Sequence, residues 1–277
     1  MTRSSAYTLD GLPLRRRLTR GLRIALERLG LWGPVFRLYE RHRAASAPVR
    51  PAQDDGRPYP PPYLITLVSS TPDPVFFSEH GRLDAERMRA AAARHGIDLF
   101  AGARVLDFGC GCGRIARWLA PEVLAGGGRF SGVDINRRLI AWSQRHLAGD
   151  YAVCGLRPPM RLQAASIDVL YARSVLTHLT VETTRLWLDD FHRVLRQGGL
   201  AIVTFHDEDW VEGDDRDLVE RDGHLLLTRS LEGSNFMAAV TTRAFLAELS
   251  GPWFEAIETI PSDRSADRQA MMILRRR

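Results

Sequence analysis

The sequence predicts an α/β fold in which a parallel sheet carries helices on both faces, and three observations support it. Short apolar runs of strand length alternate with amphipathic, helix-length stretches from about residue 84 to the end of the chain. A turn with three alternate glycines, Gly109-Cys110-Gly111-Cys112-Gly113, stands where one of those runs gives way to a helix. The chain's 277 residues, 45% hydrophobic and 26% charged, suit one enzyme-sized core that needs neither disulfides nor metal for stability.

Leu14, Leu18, Leu22, Leu26 and Leu29 recur at helical spacing with arginines between them. Gly30 and Gly33-Pro34 stop that pattern, and Pro34 can start a second short helix through about Arg43. Residues 1–44 thus read as a basic amphipathic helical arm. Residues 45–62 hold six prolines and no apolar periodicity, as an extended linker would, which leaves 63–277 for the folded domain. The first expected elements are a helix over 84–95, a buried strand over 103–108, and a helix over 114–120 ended by Pro121. A strand over 130–135, a helix over 137–147 and a short strand near 151–153 follow. A strand over 166–171 then leads to a helix from about Val181 to Arg196, capped by Thr180 and closed by Gly198-Gly199, and to a central strand over 200–205. After an insertion at about 207–240, with a hairpin expected around Asp222-Gly223, a helix over 242–249 and strands over 254–260 and 270–274 complete the domain.

All 38 basic residues are arginine, and eleven of them fall in residues 1–50 against Asp10, Glu27 and Glu40, a net of +8. The remainder carries 27 arginines and 30 acids, a net of −3, so the basic character belongs to the arm and the body is mildly acidic. The arm's plain role is to pack its leucines on the body or on a partner protein. Peripheral contact with an anionic membrane face is the alternative, and a homodimer stays open. A nucleic-acid target is not expected from so acidic a body. The chain shows neither a spanning apolar run nor a secretory signal, which makes a cytoplasmic protein the expectation. Cys110, Cys112 and Cys154 are too few for a disulfide framework and lack the second pair or histidines of a zinc site.

The chemistry concentrates at Val105-Leu106-Asp107-Phe108-Gly109-Cys110-Gly111-Cys112-Gly113-Arg114, where a buried strand turns into a helix. Alternate glycines let backbone approach a ligand and set a helix N-terminus beneath it. The spacing is not the Gly-x-Gly-x-x-Gly of pyrophosphate binders, and Asp107 would repel a pyrophosphate but suit an ammonium group. Asp134 ends the next strand, where a carboxylate can accept hydrogen bonds from both ribose hydroxyls. An adenosine with an amino-acid tail satisfies both acids.

These residues closely resemble motif I and the second-strand acid of the class I S-adenosylmethionine-dependent methyltransferases. The resemblance continues in Ser166-Ile167-Asp168-Val169-Leu170-Tyr171-Ala172-Arg173-Ser174-Val175-Leu176-Thr177-His178-Leu179 and in Arg193-Val194-Leu195-Arg196-Gln197-Gly198-Gly199-Leu200, which look like the family's strand-4 and strand-5 motifs. It covers roughly residues 84–277. It implies a Rossmann-like sheet of seven strands in the order 3-2-1-4-5-7-6, S-adenosylmethionine as cofactor and S-adenosylhomocysteine as product. Within the family the arm, the segment 71–82 and the glycine turn look most like bacterial surface-glycan and natural-product enzymes.

Carried over residue by residue, the resemblance implies that Asp107 and Gly109 contact the methionine part of the cofactor, with Phe108, Gly111 and Gly113 also among the cofactor-binding residues. Asp134 would hold the ribose, Ile135 a face of the adenine and Leu156 its edge, while Arg173 and Ser174 line the mouth. His178 and His206, after the fourth and fifth strands, are the candidate general bases. Trp210, Phe236, Met237, Phe76 and Phe77 are candidate contacts to the acceptor or cofactor. Seven acids within 207–217 read as a solvated loop, and no metal site is expected. The expected activity is O-methylation of a small molecule or glycan; an N- or C-methyltransferase and a noncatalytic cofactor-binding scaffold are the alternatives.

Overall fold

The computed structural model describes residues 55–228, 232–235, 237–263 and 269–277, with isolated positions between 29 and 42. The arm helix expected through Leu14–Leu26 and most of the linker lie outside the described residues; Pro34, Val35, Leu38 and His42 have helical backbone.

Seven strands make one sheet: β1 (Arg104–Phe108), β2 (Arg129–Asp134), β3 (Asp150–Val153), β4 (Ile167–Ala172), β5 (Leu195–Phe205), β8 (Phe254–Ile260) and β9 (Ala270–Arg276). Their order is β3-β2-β1-β4-β5-β9-β8, with β9 antiparallel to both neighbours and the other pairings parallel. Numbered within the sheet, this is the order 3-2-1-4-5-7-6 that the motifs imply. The insertion adds β6 (His224–Thr228) and β7 (Ala238–Thr241) as a separate antiparallel pair.

The period-two alternation of β1 explains why both faces are covered. Val105 packs into a cluster with Met88, Leu119 and Val123, from helices α2 (Pro74–Arg94) and α3 (Ala116–Ala125). Its neighbour Leu106 points the other way, into a cluster with Trp187 and Phe191 of α5 (Val181–Val194) and Leu246 of α7 (Arg243–Ser250). Helix α4 (Arg137–His146) joins the first face through Ile140.

Several elements depart from the sequence expectation. Helix α1 (Pro62–Ser69) occupies the end of the proline-rich stretch, with prolines only at its first turn, where no N–H is lost. Helix α2 begins ten residues before the expected helix, at an Asp-Pro start: Asp73 caps it by accepting from the amide of Val75 at 2.9 Å. Pro121 does not end α3. It removes the hydrogen bond to the Arg117 carbonyl, and Arg57 Nε donates to that oxygen at 3.1 Å instead. Gly198 and Gly199 lie inside β5 rather than ending a helix. Gly223 (φ +76°) is the left-handed cap of α6 (Asp214–Asp222), not a hairpin turn.

Candidate active site

A cleft of about 1420 Å³ opens at the carboxyl ends of β1, β2 and β4, roofed by α1, α2 and residues 232–235. Its floor is the glycine turn. Gly109 and Cys110 both donate their amides to the Val133 carbonyl, at 2.8 and 3.0 Å, which folds the turn back over β2. Gly109 (φ +77°) and Gly111 (φ +56°) take backbone angles that side chains disfavour, and a Cβ on Gly109 would stand 2.3 Å from Val175 Cγ2.

Two carboxyl groups flank the turn, Asp107 buried and Asp134 partly exposed at the cleft. Asp134 accepts from the Gly111 amide through Oδ2 (2.9 Å) and from the Asn136 amide through Oδ1 (2.7 Å). Burial raises its pKa, and those two amides offset only part of the rise. Asp107, paired across the sheet with Gly132 and Tyr171, is pushed up to about 8. Burial is the main cause; the nearby Asp134 charge adds to it, while the Tyr171 hydroxyl and Arg114 oppose it.

The end of β4 supplies the opposite wall. Ser174 (φ +59°) is held in the left-handed region by its amide donating to Thr204 Oγ1 (2.8 Å) and its hydroxyl accepting from Gln269 Nε2 (2.6 Å). Arg173 bonds to the Gln269 amide oxygen and, through Nε, to Asp84 of α2 at 3.1 Å. His178 ends a 3-10 turn (Leu176–His178), and its Nδ1 lies 2.6 Å from the Met237 carbonyl. A carbonyl can only accept, so Nδ1 carries the proton and Nε2 the lone pair. Burial lowers the His178 pKa below its usual value and the Met237 hydrogen bond only partly restores it, so the ring is neutral at pH 7.

The roof is pinned to this wall. Gly233 donates its amide to the His178 carbonyl (2.9 Å), Glu232 accepts from the Thr180 amide and hydroxyl (2.7 and 2.6 Å), and Asn235 donates to the Leu67 carbonyl of α1 (2.6 Å). A Cβ on Gly233 would stand 2.7 Å from Leu156 Cδ1 and 3.0 Å from Ile135 Cδ1, so the roof backbone lies directly over those two side chains.

Residues 105–199 match the family model described as a methyltransferase domain. The matched segment is a methyltransferase domain of the S-adenosylmethionine-dependent kind. Solved structures of similar fold include an S-adenosylmethionine-dependent methyltransferase from Mesorhizobium loti, 17% identical, with a TM-score of 0.50 over 67% of this chain and 96% of that one. Magnesium protoporphyrin IX methyltransferase from Synechocystis PCC 6803, solved with bound S-adenosylhomocysteine, is 16% identical with a TM-score of 0.50 over 73% of this chain and 86% of that one. A Pyrococcus horikoshii OT3 protein is 16% identical with a TM-score of 0.52, over 72% and 92%. At these identities the likeness is one of fold.

The methyltransferase cleft gathers most of the residues singled out in the sequence. Asp107, Phe108, Gly109, Gly111, Asp134, Ile135, Leu156, Arg173, Ser174 and His178 all line it. Gly113 and His206 do not. Gly113 (φ +76°) faces Leu147, whose Cδ1 would stand 2.0 Å from an added Cβ, so its place is in the packing beneath the turn. His206 stacks on Trp210 with ring centroids 4.0 Å apart and bridges β7 at Val240, which turns it toward the insertion. Phe77 and Met237 are fully buried and Phe76 is on the cleft wall, while Phe236 lies outside the described residues. The acids Asp207, Glu208 and Asp209 converge on Arg243 at 2.7–2.9 Å.

Sequence reasoning put residues 232–235 inside the insertion without singling them out, and it reached α2 only through Phe76 and Phe77; it missed Tyr63 and Val68 of α1 and His80 and Arg87 of α2, which also line the methyltransferase cleft. The Asp73-Pro74 start of α2 was the available signal. Nothing local in 232–235 marks them as cleft residues, because long-range bonds to His178, Thr180 and Leu67 place them there. Among the described residues, no helix is long and apolar enough to cross a membrane.

Proposed function

We propose that this methyltransferase moves a methyl group from S-adenosylmethionine to an oxygen of a small molecule or glycan, with His178 as the general base. The observation that carries the reading is the tautomer of His178: Nδ1–H is committed to the Met237 carbonyl, which leaves a basic Nε2 on a neutral ring in the cleft wall.

The residues on the wall fit the donor. Each Asp134 oxygen accepts one backbone amide and keeps a lone pair for a ribose hydroxyl. Asp107 suits the ammonium of the amino-acid tail, beside Phe108, Gly109 and Gly111. Ile135 and Leu156, under the roof, offer an apolar slot for the adenine, and Arg173 and Ser174 stand toward the acceptor. The bound donor supplies an electrophilic methyl group on a sulfonium. The chain orients the acceptor and excludes water beneath residues 232–235, positioning worth about 7–11 kcal/mol at best. His178 takes the acceptor's hydroxyl proton on Nε2, a further factor of about 10²–10⁴.

A cytoplasmic place in bacterial surface-polysaccharide or natural-product synthesis is part of the same reading, supported by three free cysteines in a reducing-compartment pattern. The test is incubation with methyl-tritiated donor and panels of hydroxyl, amine and carbon-nucleophile acceptors, with His178→Ala in parallel. Label on oxygen that is lost in the variant is expected. Label on nitrogen or carbon, transferred equally by the variant, overturns the proposal.

A further inference from the structure

Helix α5 opens with a capping box that its own sequence leaves unfinished. Thr180 is the N-cap, and its hydroxyl accepts from the Thr183 amide at 3.2 Å, as N-cap threonines do. The reciprocal partner belongs at the third helical position, where a Glu or Gln side chain reaches back to the N-cap amide. Thr183 stands at that position and carries no carboxylate or amide to reach with. Glu232, 52 residues further along the chain, supplies the missing group from outside the helix: its Oε1 accepts from the Thr180 amide at 2.7 Å and from the Thr180 hydroxyl at 2.6 Å. Burial raises the Glu232 pKa, but hydrogen bonds from Thr180 and Thr183, with a smaller pull from Arg157, more than offset it and leave it below the ordinary carboxylate range. An ionised carboxylate therefore faces the positive end of α5.

The residues on either side of this contact repeat it. Next to Glu232, the Gly233 amide donates to the His178 carbonyl at 2.9 Å. Further along the same strap, the Met237 carbonyl takes the His178 Nδ1 proton at 2.6 Å, and the Met237 amide returns to the Ser234 carbonyl at 3.1 Å. Residues 232, 233 and 237 thus grip residues 178 and 180 at backbone, hydroxyl and ring. The strap's other contacts are with the donor slot, where Gly233 lies over Leu156 and Ile135, and with α1, where Asn235 donates to the Leu67 carbonyl.

We infer that Glu232 is a positioning residue: by completing the α5 capping box it holds the strap against residues 178–180 and so fixes the His178 ring with Nδ1 protonated and Nε2 open. The donor slot and the ring then share one support, because the strap that covers Ile135 and Leu156 also carries the Met237 carbonyl. The consequence for methyl transfer rests on the reading of His178 as the base; the consequence for the ring does not.

Nitrogen NMR of the full chain with labelled histidines reads the ring directly, the His178 signals being those lost in His178→Ala. At pH 7.5 wild type is expected to show a single neutral tautomer with Nδ1 protonated, and Glu232→Ala the averaged shifts of both neutral tautomers. Glu232→Gln, whose amide oxygen can accept the same two bonds, is expected to keep the single tautomer. Asn235→Ala, which frees the strap from α1 but leaves the Thr180 contact, is expected to keep it too. Glu232→Ser, too short to reach Thr180, is made alongside and is expected to match Glu232→Ala, so the test stands if the alanine variant does not fold. Wild-type shifts in the Ala or Ser variant overturn the proposal, as does mixing in Asn235→Ala as large as in Glu232→Ala. Transfer assays separate the base reading: kcat is expected to fall about tenfold or more in Glu232→Ala and to recover in Glu232→Gln. A mixed tautomer with unchanged kcat sustains the hold on the ring and overturns the base reading alone.

Discussion

His178 Nδ1 lies 2.6 Å from the Met237 carbonyl, and this contact fixes both the tautomer of the ring and the position of the strand that follows the roof. With the folded-state pKa lowered by burial, the ring stays neutral above pH 6.5 and loses its free lone pair only as pH falls through that lowered value. Turnover by wild type is therefore expected to hold above pH 6.5 and to decline on acidification below it. His178→Ala is expected to lose about 10²–10⁴ in kcat and to lose that acid limb. A pH–rate profile of the two proteins checks this; an identical acid limb in the variant excludes His178 as the titrating base.

Asp107 makes binding a proton-linked event. Its carboxyl, pushed up to about 8, is largely protonated at pH 6.5 in the free protein, and an ammonium-bearing ligand beside it favours the carboxylate. S-adenosylhomocysteine binding at pH 6.5 is expected to release close to one proton, and Asp107→Asn to abolish the release. Calorimetry in two buffers of different ionisation enthalpy reads this directly. Zero proton release by wild type contradicts it.

Gly113 and Gly111 are two residues apart and are expected to fail differently. Gly113→Ala forces a side chain into φ +76° against Leu147, beneath the cleft, and should cost about 1–3 kcal/mol of stability in urea unfolding while leaving ligand affinity nearly unchanged. Gly111→Ala meets Val68 of α1 at 2.7 Å and disturbs the amide that Asp134 holds, so it should weaken S-adenosylhomocysteine binding as well. Equal affinity losses in both variants would place Gly113 on the ligand.

How far the sequence reveals this molecule depends on whether a feature is local. The strand–turn–helix at Asp107–Gly113 and the acid at Asp134 are legible because their residue types answer to backbone conformation and charge within one short segment. The sheet order is legible because three motifs lie in order. The start of α2 was missed because Gly81 dilutes its pattern; that glycine is required by packing, since a Cβ there would stand 2.2 Å from the Arg114 carbonyl oxygen. Pro121 misleads for a similar reason, because its helix continues only with the help of Arg57, 60 residues away from the carbonyl it serves. His206 and His178 look equivalent in sequence, each just past a central strand. Only long-range packing turns one into the cleft and the other onto Trp210.

His224 supplies a stability test away from the cleft. Burial holds its pKa down to about 4, with Nδ1 bonded to Thr241 Oγ1 at 2.9 Å and Nε2 buried without a hydrogen-bond partner. The unfolded chain takes up this proton near pH 6.5 and the folded one does not, so stability is full above pH 6.5 and falls as pH drops from 6.5 toward 4. The loss attributable to this residue is about 3 kcal/mol at most. Urea unfolding at pH 7 and pH 4.5 should show a smaller drop for His224→Gln than for wild type; equal drops would remove His224 as a cause.

The most direct measurement is calorimetric titration of S-adenosylhomocysteine into wild type and Asp134→Asn, a variant that keeps one acceptor oxygen for the Gly111 amide. Micromolar affinity in wild type, about −8 kcal/mol, weakened at least tenfold in the variant is expected. No binding by wild type, or equal binding by both proteins, would contradict the placement of the donor on Asp134.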